Sequence, residues 1–270
     1  HDKRLKALEG VRSFDWSNLK PVYAFKRIGS STLSALFDQV RAGEDIWAVD
    51  VSEAKTFFRE QAQKYGYDDW DFRQRHAFRS RTGKEISLSL DQMLSLYAYS
   101  KREQAVRHLE KGGFVLDDAV EVVERKKGIP VKYKVNTAGA YNLSADTLAE
   151  ITGALTDGQR AFADEMQAYL SDVMGAKGNE VAMTMYGVPL FKEKTYFPIK
   201  SARQYMFEEN QTAGEVRLKN AGFSKETTAG AGNPMILGSF MDVWSNHVND
   251  MAMYHAFVLP LEDFNRVFNY

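Results

Sequence analysis

Between positions 72 and 84 the chain carries Arg73, Arg75, Arg79, Arg81 and Lys84 with no acid among them, and Phe72 and Phe78 interleave with these cations around His76. A guanidinium offers a planar fork of donors to phosphate, and an aromatic ring offers a stacking platform to an unpaired base. Arg125, Lys126, Lys127, Lys132 and Lys134 form a second basic cluster. Brought together in space, the two would make an anion-binding surface that the net charge of -1 conceals. The plainer reading is a pair of solvated faces neutralised by acids such as Asp68, Asp69 and Asp71.

Two further stretches carry titratable groups. Arg102, Glu103, Arg107 and His108 share a polar stripe on a helix expected over 91–111, with Glu103 and Arg107 four apart. Such a stripe can present a general acid or base. The plainer reading is a surface ion pair, or a buried polar network that locks one helix to another. Near the end of the chain, His247, Asn249, Asp250, Tyr254 and His255 lie on one predicted helix. His247 and Tyr254 share a face, whereas His255 is rotated away from His247. The H-E-x-x-H spacing of a helical zinc site is absent, so the expectation is no metal and a hydrogen-bonded histidine inside a packed interface. Gly230-Ala-Gly232-Asn-Pro234 lacks the strand and the G-K-[ST] of a phosphate loop and reads as a connection. The segment 194–200 alternates basic, aromatic and proline residues, as an extended piece packed on the body would; Tyr196 is its one candidate for ligand contact.

Composition narrows the classes. The 270 residues are 44% hydrophobic and 26% charged, enough apolar surface to fold around a core. Cysteine is absent, which excludes disulfides, thiolate metal sites and cysteine nucleophiles. No apolar run approaches the roughly 18 residues of a spanning helix, and no signal-peptide pattern is seen. The opening HDKRLKALEG reads as a cut from a longer chain.

The elements that position these residues are mostly helical. Apolar spacings of three and four predict helices over 17–28, over about 30–40, and over 44–65, the last with Ile46, Val49, Phe57, Phe58, Ala62 and Tyr65 on its apolar side. A turn at Thr82-Gly83 precedes the alternating run Ile86, Leu88, Leu90, and Ser89 or Asp91 starts the helix bearing Met93, Leu94 and Leu109. Asp117-Asp118 caps a short helix through Val120, Val122 and Val123, and 131–135 alternates as a strand. Helices follow over about 145–155, 157–174 and 177–187. Residues 188–234 have loop chemistry, and a helix over 238–257 precedes a short one after Pro260. The fold class is therefore mainly α, an irregular multi-helix domain with a small β element, divided as an N-terminal helical region 1–88 and a helical domain 89–270, or forming one domain.

Three blocks also resemble a known family. Residues 90–113 (LDQMLSLYAYSKREQAVRHLEKGG), Glu193-Lys-Thr-Tyr-Phe-Pro-Ile199, and Asn233-Pro with His247-Val-Asn-Asp-Met-Ala-Met-Tyr-His255 and the closing Asn269-Tyr270 resemble, in order, a helical domain of the large polyvalent proteins of phages and mobile elements. The resemblance implies a mainly helical associated domain, in long chains thought to enter the host with the element's DNA. It carries no catalytic residues. The expected function is non-catalytic: a structural or interaction domain of a larger phage-like protein acting in DNA delivery or host takeover. Its partners would be other domains of that chain and phage or host proteins, with no cofactor and no membrane, in the virion or the host cytoplasm. The alternatives are a nucleic-acid-binding domain using the basic clusters at 73–84 and 125–134, and an enzyme with an unrecognised site around Glu103, His108 and His255.

Overall fold

The computed structural model describes residues 31–126, 129–199 and 233–268, so the helix expected over 17–28 lies outside the described residues. Helix α1 (Ser31–Tyr65) runs unbroken for 35 residues, about 52 Å at 1.5 Å per residue. The break expected after position 40 is absent. Leu36, Gly43 and Asp50 are buried at seven-residue spacing, which draws a single narrow seam down the first half of the helix. Ile46 and Val49, expected on the apolar side, face solvent instead.

Strands β1 (Arg75–Arg79) and β2 (Glu85–Ser89) form an antiparallel hairpin with Arg79 opposite Glu85 and Arg75 opposite Ser89. Its turn holds Gly83 at φ 81, as the Thr82-Gly83 signal predicts. Phe78, Ile86 and Leu88 alternate inward, and the residues between them face out.

Helix α2 (Leu90–Ser100) begins on a capping box. The Gln92 N–H donates to the Ser89 hydroxyl at 3.3 Å, and the Gln92 side chain accepts from the Ser89 N–H at 3.0 Å. The helix expected to continue to 111 divides at Arg102, whose backbone is extended, and resumes as α3 (Glu103–Lys111). The break re-aims α3 so that Ala105, His108 and Leu109 enter the core. Gly113 then turns the chain at φ 71, where a Cβ would meet the Tyr141 carbonyl oxygen at 2.4 Å.

Strand β3 (Phe114–Leu116) pairs in parallel with the late β6 (Met235–Leu237), which the sequence does not announce. Strand β4 (Val120–Lys126) replaces the helix expected through Val123. It pairs antiparallel with β5 (Ile129–Val135), Val120 opposite Val135, and its β-branched residues suit the ladder better than a helix.

Helices α4 (Ala145–Gly153) and α5 (Asp157–Ala168) are capped by Ser144 and Thr156. From α5 the chain passes without a break through a wider turn, Tyr169–Met174, into α6 (Gly175–Tyr186). There the Gly175 N–H bonds to the Leu170 carbonyl, five residues back rather than four. Helix α7 (Phe240–Phe268) continues through Pro260, where the sequence predicts a stop. One apolar cluster contains Ala54, Phe78, Ile86, Leu94, Phe162, Phe197, Phe240 and Met251, so the residues on the two sides of position 88 share a core. Among the described residues helix dominates and the strands form three two-stranded pieces, a mainly α architecture with a small β element. No described helix is long and apolar enough to cross a membrane.

Candidate functional site

The densest polar junction joins α1, α6 and α7. Asp50 is a carboxylate on the buried seam of α1, its side chain only 4% exposed. It accepts from Lys177 Nζ at 2.6 Å and meets His255 Nδ1 at 2.7 Å. Lys177 also donates to Glu53 at 2.6 Å, and His255 Nε2 lies 3.8 Å from Glu180. Burial works against the Lys177 ammonium, but its hydrogen bonds to Asp50 and Glu53 outweigh it and hold the pKa above its usual value. The Tyr169 hydroxyl belongs to the wide turn preceding α6. It is buried with no hydrogen-bond partner, and burial raises its pKa.

Of these residues the sequence singles out His255 alone. Asp50, Lys177 and Tyr169 each look ordinary in their own segments of the sequence. The available signal was the charge at position 50, seven residues beyond Gly43 and fourteen beyond Leu36 on one helical seam.

A second group forms around Tyr196. The Arg102 guanidinium carbon lies 5.5 Å from the centre of its ring, and the His247 ring lies 5.1 Å away on a tilted contact. Burial pushes the Tyr196 pKa up to about 12, opposed by Arg102 and assisted by Asp250. The neighbouring Phe197 stacks on Phe240 at 4.9 Å, and Tyr99 Oη donates to the Pro198 carbonyl at 2.9 Å. The 194–200 stretch is thus packed on the body up to Ile199, as expected.

The remaining predicted residues go separate ways. Glu103 and Arg107 form an exposed ion pair along α3. His108 is buried with neither ring nitrogen in hydrogen-bond geometry. Burial lowers its pKa below the ordinary 6.5, and the Asn233 backbone opposes that shift without closing a bond. Glu103, His108 and His255 each have different neighbours, and no contact joins any two of them. The convergence that the enzyme reading requires is absent among the described residues. No group of three or more metal-ligating side chains comes together among them either.

The basic clusters also separate. Arg73, Arg75, Arg79 and Arg81 are all exposed along the outer side of the β1–β2 hairpin, and His76 is half-buried. Phe78 points into the core, and Phe72 packs against Tyr67 and Trp70, so neither ring is offered for base stacking. Lys84 turns away to the Gly139 carbonyl at 3.1 Å and lies over the Tyr141 ring. Arg79, Glu85 and Glu150 line a shallow recess of about 310 Å³. In the other hairpin, Arg125 and Lys126 end β4 and Lys127 lies outside the described residues. The register sets Glu121 opposite Lys134 and Glu124 opposite Lys132, so that cluster is interleaved with acids. No family model matches this chain, and no curated protein and no solved structure matches it.

Proposed function

We propose that this chain is a non-catalytic interaction domain of a larger phage-like polyvalent protein, acting in DNA delivery or host takeover. The observation that carries this reading is the pair of exposed apolar side chains, Trp47 and Met253, that meet through Asn249 across α1 and α7. Ile46 (39% exposed), Trp47 and Val49 (54%) stand on α1. Trp47 Nε1 donates to Asn249 Oδ1 at 3.1 Å, and Asn249 reaches Met253, which is 43% exposed on α7. Trp47 and Met253, bridged through Asn249, form an exposed apolar pair across the two helices, and a tryptophan so placed suits a protein partner. The order of the blocks at 90–113, 193–199 and 233–255 supports the polyvalent-protein assignment. The partners in this reading are other domains of the same long chain and phage or host proteins, in the virion or the host cytoplasm.

The polar residues support a non-catalytic role in the same way. His255, Asp50 and Lys177 are engaged in tying three helices together, and Glu103 is engaged on the surface. The test is to co-express the chain with the remainder of its open reading frame and to measure their association. Trp47→Asp and Met253→Asp replace side chains that are 36% and 43% exposed, so the melting temperature should hold while association falls at least tenfold. Unchanged association in both variants would remove this surface from the proposal.

A further inference from the structure

We propose that the outer face of the β1–β2 hairpin is a docking surface for the phosphate backbone of duplex nucleic acid, contacted by Arg73, Arg75, Arg79 and Arg81. This surface is independent of the apolar pair on α1 and α7. Its first support is position. Arg75 and Arg79 share the solvent face of β1, about 13 Å apart along the strand, with only Ala77 between them. Arg73 precedes the strand and Arg81 opens the turn, both exposed.

The second support is the lack of neutralising partners. Several described cations sit on acids, Lys64 on Glu165, Lys101 on Asp164, Arg107 on Glu103, Arg160 on Asp157 and Arg266 on Glu262, whereas others such as Lys55 and Arg59 form no ion pair among the described residues. Among the described residues no carboxylate pairs with any of the four arginines of the hairpin. Asp71, two residues before Arg73, accepts the backbone N–H groups of Arg73 and Gln74 on Oδ1 at 2.9 and 3.1 Å. The Arg75 guanidinium is steadied by one bond to Gln92 Oε1 at 3.1 Å, which pre-orients its fork.

The face also selects among polyanions. Single strands are held largely by stacking on aromatic side chains. Here Phe78 is buried and Phe72 is half-buried against Tyr67 and Trp70, and the outer face carries the guanidinium groups, Ala77, the Ser87 hydroxyl and the Glu85 carboxylate. The guanidinium and hydroxyl groups are the donor set of backbone contacts, which position a protein without reading bases. A duplex presents one charge per about 1.7 Å of axis and answers such a row most strongly. Glu85 stands directly across from Arg79, and Glu150 borders the same recess, so these two acids oppose the bound phosphates.

The experiment is fluorescence anisotropy of the full 270-residue chain on a labelled mixed-sequence duplex of about 20 base pairs. Four phosphate contacts predict an affinity loss of roughly a hundredfold between 50 and 200 mM salt. Arg79→Ala should lower the magnitude of the salt slope by about one, and Arg75→Ala with Arg79→Ala by about two. Glu85→Gln, which leaves every arginine in place, should strengthen binding several-fold at 50 mM salt. A single strand of equal length should bind more weakly. No duplex binding at 50 mM salt, unchanged binding in the fourfold arginine-to-alanine variant, tighter binding of the single strand, or no response to Glu85→Gln would each overturn the proposal.

Discussion

His255 Nδ1 meets the Asp50 carboxylate at 2.7 Å across 205 residues of chain, and Lys177 Nζ occupies the second carboxylate oxygen at 2.6 Å. One carboxylate on the buried seam of α1 therefore fixes both α6 and α7. Replacing it leaves the Lys177 ammonium without its buried counter-charge and takes the carboxylate partner from His255 Nδ1 at a three-helix junction. Asp50→Asn should cost about 2–3 kcal/mol, at the low end for a broken buried pair because Lys177 and His255 keep some solvent. Glu53, 55% exposed and bonded to the same lysine, should cost under about 0.5 kcal/mol as Glu53→Gln. Urea unfolding of the two variants decides the matter, and equal losses would contradict the assigned hierarchy.

The α1–α7 crossing makes a sharper test. A Cβ on Gly43 would lie 2.7 Å from the Ala256 carbonyl oxygen, the acceptor that Pro260, lacking an N–H, leaves without its helical donor. Gly43→Ala gains helix propensity but forces the two backbones apart, for a net loss of about 1–3 kcal/mol. Gly158→Ala in α5, where nothing lies within 4 Å, should instead stabilise by up to about 1 kcal/mol. Thermal melting of both variants should therefore show shifts of opposite sign.

His108 predicts a pH dependence. Its folded pKa lies below the ordinary 6.5 because of burial, so as pH falls the unfolded chain takes up the proton first. The stability linked to this group is complete above about pH 6.5 and is lost as pH drops below that value toward the folded pKa. His108→Leu removes two unpartnered buried nitrogens and should flatten the stability profile between about pH 5 and 7. Parallel slopes for the parent and the variant would show that other groups govern this window.

Leu94 and Leu109 have no exposed surface and face one core from two helices. Truncating either to alanine should cost about 2–5 kcal/mol, whereas Met93→Leu should cost under about 1.5 kcal/mol. A Leu94→Ala chain that melts with the parent would place this helix face wrongly.

Local chemistry made much of the secondary structure readable in advance. Ser89 three residues before Gln92 is a complete helix-start signal, Thr82-Gly83 is a complete turn, and the alternation over 131–135 is a strand wherever it finds a partner. The expectations at Val120, after position 40 and at Pro260 give way for one shared reason. Val120 to Val123 became strand because β5 lies opposite, and α1 and α7 run on through Gly43 and Pro260, where Gly43 packs close to the Ala256 carbonyl. The charges follow the same logic. Glu103 and Arg107 pair within one helical turn, so their spacing sufficed. Asp50 finds Lys177 and His255 127 and 205 residues away, and Asp71 accepts from its own backbone rather than pairing with the arginines of the β1–β2 hairpin. Propensity and capping act within a few residues and are written in the chain locally. Which charges meet, and which are left facing water, depends on how the core brings distant backbones together, and that was decided only by the tertiary structure.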